Sequence, residues 1–447
     1  MRTAPRALVL ALALALVLAA CERGTPAPGP TTPAGTQGPT ASPSAGPSPS
    51  SAGSAARAMA RLCDYGPPPG SEPPPPEGPT PPAIAEVMDA VEELRGLSFT
   101  ERVVADPSTP AELREGLRAS FDYSYPRELL ERRSLAWQTI GVIGPGVSIR
   151  EELERFVSGQ VIGYYDTLTG ELRFIGTEHP SPYARVILAH ELTHALDDQH
   201  FGLERIDRLM TSCRDEAATA AIGLTEGDAT FLMSRYALRY LSPQEQLQLA
   251  GEGGGTPASV DPFIERQQLW PYTEGQAFVS ALTGRGGLEA LDEAFRDLPV
   301  STEQIMHPDR YPGDVPTPVD IPDLGSALGP GWRDLDVQEV GEAWLGIALG
   351  LRLPSSTAEE AAAGWDGGLY RAWTDGSRVA VVLATVWDTP QDAAGFADAM
   401  AAWISAWDGA GTVLPVEGSS VHVLFASDAA TLDALRVAAG GILGSGT

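Results

Sequence analysis

The sequence predicts an α+β protein in two parts, a mainly helical first unit with one small β-hairpin and a smaller second unit mixing strands and helices. Three observations carry this. Tyr183 to Gln199 runs without Gly or Pro and sets Val186, Ile187, Leu192 and Leu196 as apolar contacts, the pattern of a buried helix. Val161-Ile162-Gly163-Tyr164-Tyr165 and Glu171-Leu172-Arg173-Phe174-Ile175 read as strands around Asp166-Thr167-Leu168-Thr169-Gly170, whose glycine suits a positive φ in a hairpin turn. Further on, strand-like Leu369 to Trp373 and Arg378 to Val386 precede Asp392 to Trp407, where Phe396, Met400, Trp403 and Trp407 recur at helical spacing.

Taken in order, the chain starts with Arg2 and Arg6 ahead of an apolar run from Ala7 to Ala20. That run is shorter than the roughly 20 residues of a comfortable membrane span and suits the core of a signal peptide. Leu18-Ala19-Ala20-Cys21 resembles a bacterial lipobox, so residues 1–21 are expected to form a lipoprotein leader, with Cys21 lipidated and the protein held outside the cytoplasm on a membrane. An uncleaved helical anchor would leave it on the membrane too. Residues 22–81, rich in Pro, Gly, Ser, Thr and Ala and including Pro67 to Pro69 and Pro73 to Pro76, read as a partly stiff tether unable to bury a core. Residues 82–318 are expected to form the first folded unit, and Gly and Pro between Ile321 and Pro330 mark a joint. Residues 330–447 form the second, with Val421 to Phe425 as a further strand and Ala429 to Ala438 as a last helix. Its Trp365, Trp373, Trp387 and Trp403 fall on strands and one helix face, the placement of core residues.

The chemistry centres on His190-Glu191-Leu192-Thr193-His194. On a helix, positions i and i+4 share a face, so His190 and His194 can grip one tetrahedral zinc while Glu191 leans over the open position. This is the H-E-x-x-H signature of zinc peptidases, and Ser181 as cap with Pro182 in the first turn supplies the helix it requires. A third ligand has two candidates. His200 gives His-Glu-x-x-His-x-x-Asp-x-x-His, which needs a sharp exit from the helix at Asp197, where that pattern normally has Gly. If the helix continues instead, six residues advance it by roughly 600° and His200 points about 120° away from His194. Glu226, in Leu224-Thr225-Glu226-Gly227-Asp228-Ala229, lies on a second helical stretch, with Ser212 and Asp215 as a capping pair and Ile222, Leu232, Met233 and Tyr236 as packing residues. The helical character of the tract after His194 favours Glu226. His307, after a short helix from Ser301 to Met306, is the first candidate to steady an oxyanion, with Tyr272 and Tyr311 behind it.

His190 to Phe201, Glu226-Gly227-Asp228-Ala229 and Ser301 to Pro308 together resemble a group of bacterial extracytoplasmic metallopeptidase-like proteins of the gluzincin type. The resemblance spans roughly residues 85 to 315, and it implies a zincin catalytic domain with His190, His194 and Glu226 as zinc ligands and Glu191 as catalytic base. The expected function is hydrolysis of a peptide or protein substrate at the cell envelope by a Glu191-activated, zinc-bound water. The alternative is a non-hydrolytic, zinc-containing envelope lipoprotein that binds a partner protein. Cys63 and Cys213, the other two cysteines, are free to form one bridge in an oxidising compartment. The chain has no Lys, which excludes a Ser-Lys dyad or a lysine Schiff base, and its formal charge of -29 argues against nucleic-acid binding.

Overall fold

Two β-sheets organise the α+β fold, one beside the H-E-x-x-H helix and one in the C-terminal unit. The computed structural model describes residues 9–13, 53–63, 65, 80–101, 103–116, 126–167, 170–177, 179–252 and 259–440. Cys21 and most of the stretch read as a tether lie outside the described residues.

The first sheet has the order β1-β3-β4-β2, from β1 (Val9–Ala13), β2 (Val104–Ser108), β3 (Val161–Asp166) and β4 (Glu171–Ile175). The expected hairpin is β3 and β4, antiparallel with Asp166 opposite Glu171, and Gly170 closes it at φ 65°. Leu172 and Phe174 of β4 are fully buried beside the H-E-x-x-H helix, each such burial stabilising by about 1.5–3 kcal/mol. β2 runs parallel to β4 at the sheet edge, a position that tolerates Pro107. β1, within the stretch read as a leader, pairs antiparallel with β3, so a chain cut ahead of Cys21 would present β3 as an edge.

Three helices carry the chemistry: the motif helix Pro182–Phe201, the glutamate helix Asp215–Tyr240 and the long helix Pro262–Arg296. Ser181 caps the first, its Oγ accepting from the Ala184 amide at 3.2 Å, and Gly202 ends it in the left-handed region at φ 68°. The expected Ser212–Asp215 cap of the second does not form. The Ser212 hydroxyl donates to the Arg208 carbonyl at 2.7 Å, closing the preceding helix, while Asp215 accepts from Arg133 at 3.2 Å. The glutamate and long helices meet backbone to backbone, since a Cβ on Gly275 would lie 1.9 Å from the Gly223 carbonyl oxygen and one on Gly227 only 2.3 Å from Gly275. Glycine at these positions is therefore a requirement of the helix separation that fixes Glu226.

The second sheet, β5 (Arg333–Glu339), β6 (Trp365–Thr374), β7 (Val379–Trp387), β8 (Ala410–Val413) and β9 (Ser420–Ala426), is antiparallel in the order β5-β6-β7-β9-β8. Helices cover both faces, which is why β7 reads as an almost continuous apolar run. Trp365, Trp373, Trp387 and Trp403 are all core residues. The helix Arg127–Ile140 inserts Trp137 and Ile140 into the same core, so the C-terminal unit is fused to the first unit rather than hung from it.

The tether reading is corrected at one segment. Ser54–Leu62 forms a helix that buries Ala55 and Ala58 on the second sheet, and Arg371 donates to the Ser54 hydroxyl at 2.9 Å. No Gly or Pro interrupts those nine residues, and alternating small side chains let the helix lie close to the strands. Cys63, just beyond its end, is joined by a disulfide to Cys213, with Cα atoms 5.9 Å apart.

Candidate metal centre

The motif helix brings His190 and His194 to one face, and the glutamate helix projects Glu226 towards them. His194 Nε2 lies 3.0 Å from His190 Nε2, His190 Nε2 lies 3.2 Å from Glu226 Oε2, and His194 Nε2 lies 3.6 Å from the same oxygen. Bonds of about 2.0–2.1 Å to one tetrahedral ion place donor atoms about 3.3 Å apart, which these three edges bracket. All three side chains are buried.

The electrostatics suit a cation. Burial pushes the His190 imidazole down to about 4, with His194 adding to the fall and the Glu226 hydrogen bond opposing it. Burial alone would raise the Glu226 carboxyl, but its contacts with His190 and His194 outweigh this and hold it at about 2. A neutral imidazole and an ionised carboxylate are the forms that ligate metals. Nε2 of each histidine faces the shared centre, and the Nδ1 atoms have no hydrogen-bond partner among the described residues; with a cation at the centre each ring would carry its proton on Nδ1.

Glu191 is fully buried and is not among the three converging donors. β3 covers it closely: a Cβ on Gly163 would sit 3.1 Å from Glu191 Cγ, so any larger residue there would require its neighbours to give by a few tenths of an ångström. Neither carboxyl oxygen has a hydrogen-bond partner of normal geometry among the described residues. Burial first, and then the charge of Glu226, raise the Glu191 carboxyl well above the usual range, against a small opposing pull from the Tyr165 amide.

The other sequence candidates are placed elsewhere. His200 stays on the helix, which continues to Phe201, and its Nε2 meets the Ser98 carbonyl oxygen at 2.8 Å in an exposed position. The third-ligand alternative is thereby corrected, because the sharp exit at Asp197 does not occur. His307 is turned to the C-terminal unit, where its Nε2 lies 2.9 Å from Glu342, and it is not part of the metal-ligating group. Tyr311 donates to the Asp297 carbonyl at 2.6 Å. Of the three proposed oxyanion donors, Tyr272 is the one beside the centre, its ring stacked over His190 at 6.2 Å.

A feature missed in the sequence lies directly behind the ligands. Arg95, at the end of helix Pro82–Arg95, is 1% exposed and donates Nε to Asp197 at 3.2 Å and to Asp228 at 2.9 Å, and Nη1 to Asp292 at 2.6 Å. It also faces the rings of Phe201 and Phe295. Asp197 follows His194 by three residues and Asp228 follows Glu226 by two, so one guanidinium ties the two ligand-bearing helices together. The available signal was a pair of acids on site-facing turns; Asp197 reads in the sequence as a replacement for a turn glycine instead.

Residues 331–439 match a family described as a domain of unknown function, DUF8575. No curated protein matches the chain. Among solved structures, a proposed hydrolase with a novel fold from Chloroflexus aurantiacus is similar at 19% identity and a TM-score of 0.35, over 57% of this chain and 95% of that one.

Proposed function

We propose that the chain is a zinc-dependent peptidase of the gluzincin type, working outside the cytoplasm from a lipid anchor on Cys21. The observation that carries the reading is the convergence of His190, His194 and Glu226 with Glu191 beside them and outside the donor set. Two imidazoles and one carboxylate are a usual catalytic zinc set, whereas structural zinc is normally closed by four protein ligands. A zinc ion held there supplies a Lewis acid next to the scissile carbonyl.

The residues of the chain divide the remaining work. Glu191, buried beside the three donors and outside their set, takes a proton from the attacking water and returns it to the leaving amine. β3 lies across Glu191 and, once a cut ahead of Cys21 removes β1, is an edge strand that offers backbone groups to an extended peptide. Tyr272 over His190 is the donor best placed to steady negative charge on the carbonyl oxygen. The alternative of a partner-binding lipoprotein with a closed metal site draws support from the burial of the centre, but it leaves a buried Glu191 outside the donor set without purpose.

The test is a peptide-library digest with purified mature protein, assayed with its metal content. About one zinc per chain is expected, and Glu191→Gln should keep the zinc while losing roughly 10²–10⁴-fold in hydrolysis. A fully active Glu191→Gln protein would overturn the mechanism.

A further inference from the structure

A cavity of about 240 Å³ opens beside Glu226 and Tyr272 and leads away from the metal centre. Asp215, Thr219, Ile222 and Glu226 form one stripe of the glutamate helix along it, and eleven residues at 1.5 Å each make the stripe about 16 Å long. The facing wall comes from the first half of the long helix, including Gln267, Gln268 and Pro271. Trp137, Leu153 and Phe156 make a third side that is apolar. The cavity is bordered at its far end by the C-terminal unit, through Ala343, Trp344 and Ile347 of the helix Glu342–Leu349. Nothing in the sequence pointed to that unit as part of a site.

Trp344 is the decisive residue. It is 6% exposed, held edge-on against Phe263 at 5.3 Å and Trp137 at 6.4 Å, yet its indole Nε1 has no hydrogen-bond partner among the described residues. Trp344 lines the cavity, and a buried indole donor left unpartnered costs about 1–3 kcal/mol. The opposite wall presents the part-exposed side-chain amides of Gln267 and Gln268, and Pro271 has no N–H to offer the Gln267 carbonyl. Mostly apolar walls with a few spaced hydrogen-bonding groups are what an extended peptide with apolar side chains requires. At about 3.3 Å per residue, 16 Å accommodates roughly four or five residues.

We propose that this cavity binds an extended apolar stretch of the peptide substrate on one side of the scissile bond, and that Trp344 of the C-terminal unit is a specificity-determining residue within it. The substrate's side chains lie against Ile222, Trp137 and Leu153, and its backbone pairs with Gln267, Gln268 and the Trp344 indole. The inference rests on the peptidase reading for what happens at the metal, but the binding it describes stands without turnover.

The experiment uses the full mature chain carrying Glu191→Gln, titrated calorimetrically with acetyl-Ala-Leu-Phe-Leu-Ala-amide and with the counterpart in which Ser replaces the Leu and Phe residues. Burial of even one Leu or Phe side chain predicts at least tenfold tighter binding of the apolar peptide. Adding Ile222→Arg, which sets a charge midway along the cavity, should abolish that preference with zinc content unchanged. Adding Trp344→Phe keeps the aromatic packing, removes the donor, and should weaken the apolar peptide about two- to tenfold. Equal affinity for the two peptides, or a preference untouched by both substitutions, overturns the inference. Binding that follows these expectations while the Glu191 protein cleaves nothing overturns the peptidase reading alone, and cleavage without any apolar preference overturns the inference alone.

Discussion

Replacing Arg95 by Met should damage stability and metal retention together. In the folded chain Arg95 is the cation shared by Asp197, Asp228 and Asp292, and the first two are essentially fully buried with it. Burial, opposed by Arg95, raises the Asp197 carboxyl well above its usual range. Methionine fills much of the same volume but removes every donor, leaving buried acids without a counter-charge. Breaking a buried pair in this way costs about 3–5 kcal/mol. The loss falls on the turns that carry His194 and Glu226, so zinc should be held more weakly as well. The assay is urea unfolding of the zinc-loaded proteins at pH 7, followed by circular dichroism, with zinc counted after dialysis. Arg95→Lys should lie between the two, since an ammonium keeps the charge but cannot fork to three carboxylates. The deficit of Arg95→Met should shrink as pH falls towards about 4, where carboxyls in the unfolded chain also take up protons. An Arg95→Met protein as stable and zinc-retentive as the parent would show that the clamp does not support the ligand helices.

Two further predictions follow from particular residues. Glu216 is buried beneath Gly341 and accepts from the Thr302 hydroxyl at 2.7 Å; burial, first, raises its carboxyl to about 7 despite that bond. Because this folded-state value exceeds the unfolded one, its contribution is complete below about pH 4.5 and is lost as pH rises through 7, so the parent should lose up to about 3 kcal/mol by pH 8 that Glu216→Gln does not, as read from melting curves across that range. Cys21→Ser should move the protein from the membrane to the soluble fraction on cell fractionation, and persistence in the membrane would favour an uncleaved anchor over lipidation.

The parts of the fold that were legible in the sequence are those set by local chemistry. Ser181 and Pro182 define where the motif helix starts, the tract to Gly170 defines the hairpin, and Ser301 caps a short helix by accepting from Gln304 as its spacing implies. Three strands and two helices between Trp365 and Gly440 follow the sequence reading to within a few residues, while the short strand Ala410–Val413 was not read. What local chemistry could not convey is pairing over distance. β2 carries Asp106-Pro107, which reads as a turn, and becomes a strand only because β4 offers it a parallel edge. Ser54 to Leu62 sits in composition typical of a tether, and its helix is secured by residues far along the chain, Asp334 of β5 at 2.6 Å and Asp320, ahead of that strand, at 2.9 Å.

The site divides in the same way. The i, i+4 histidines and the intervening glutamate are a local statement, and they stand where the spacing puts them. The choice between His200 and Glu226 is not local: it depends on the helix running on to Gly202, which carries His200 out to Ser98, and on how near the glutamate helix approaches. That approach is limited by glycine, because any side chain at Gly227 or Gly275 would push the glutamate and long helices apart. It is fixed a second time by Arg95, which pulls Asp228 and Asp197 onto one charge. A third ligand supplied by a separate helix holds a separation of 3.2 Å from His190 because two unrelated devices position that helix, a glycine contact that seats it on the long helix and a buried guanidinium that ties it to the motif helix. Steric closeness without the clamp would leave Glu226 free to slide along the motif helix, and the clamp without the glycines would hold its helix too far from its neighbour to stay packed.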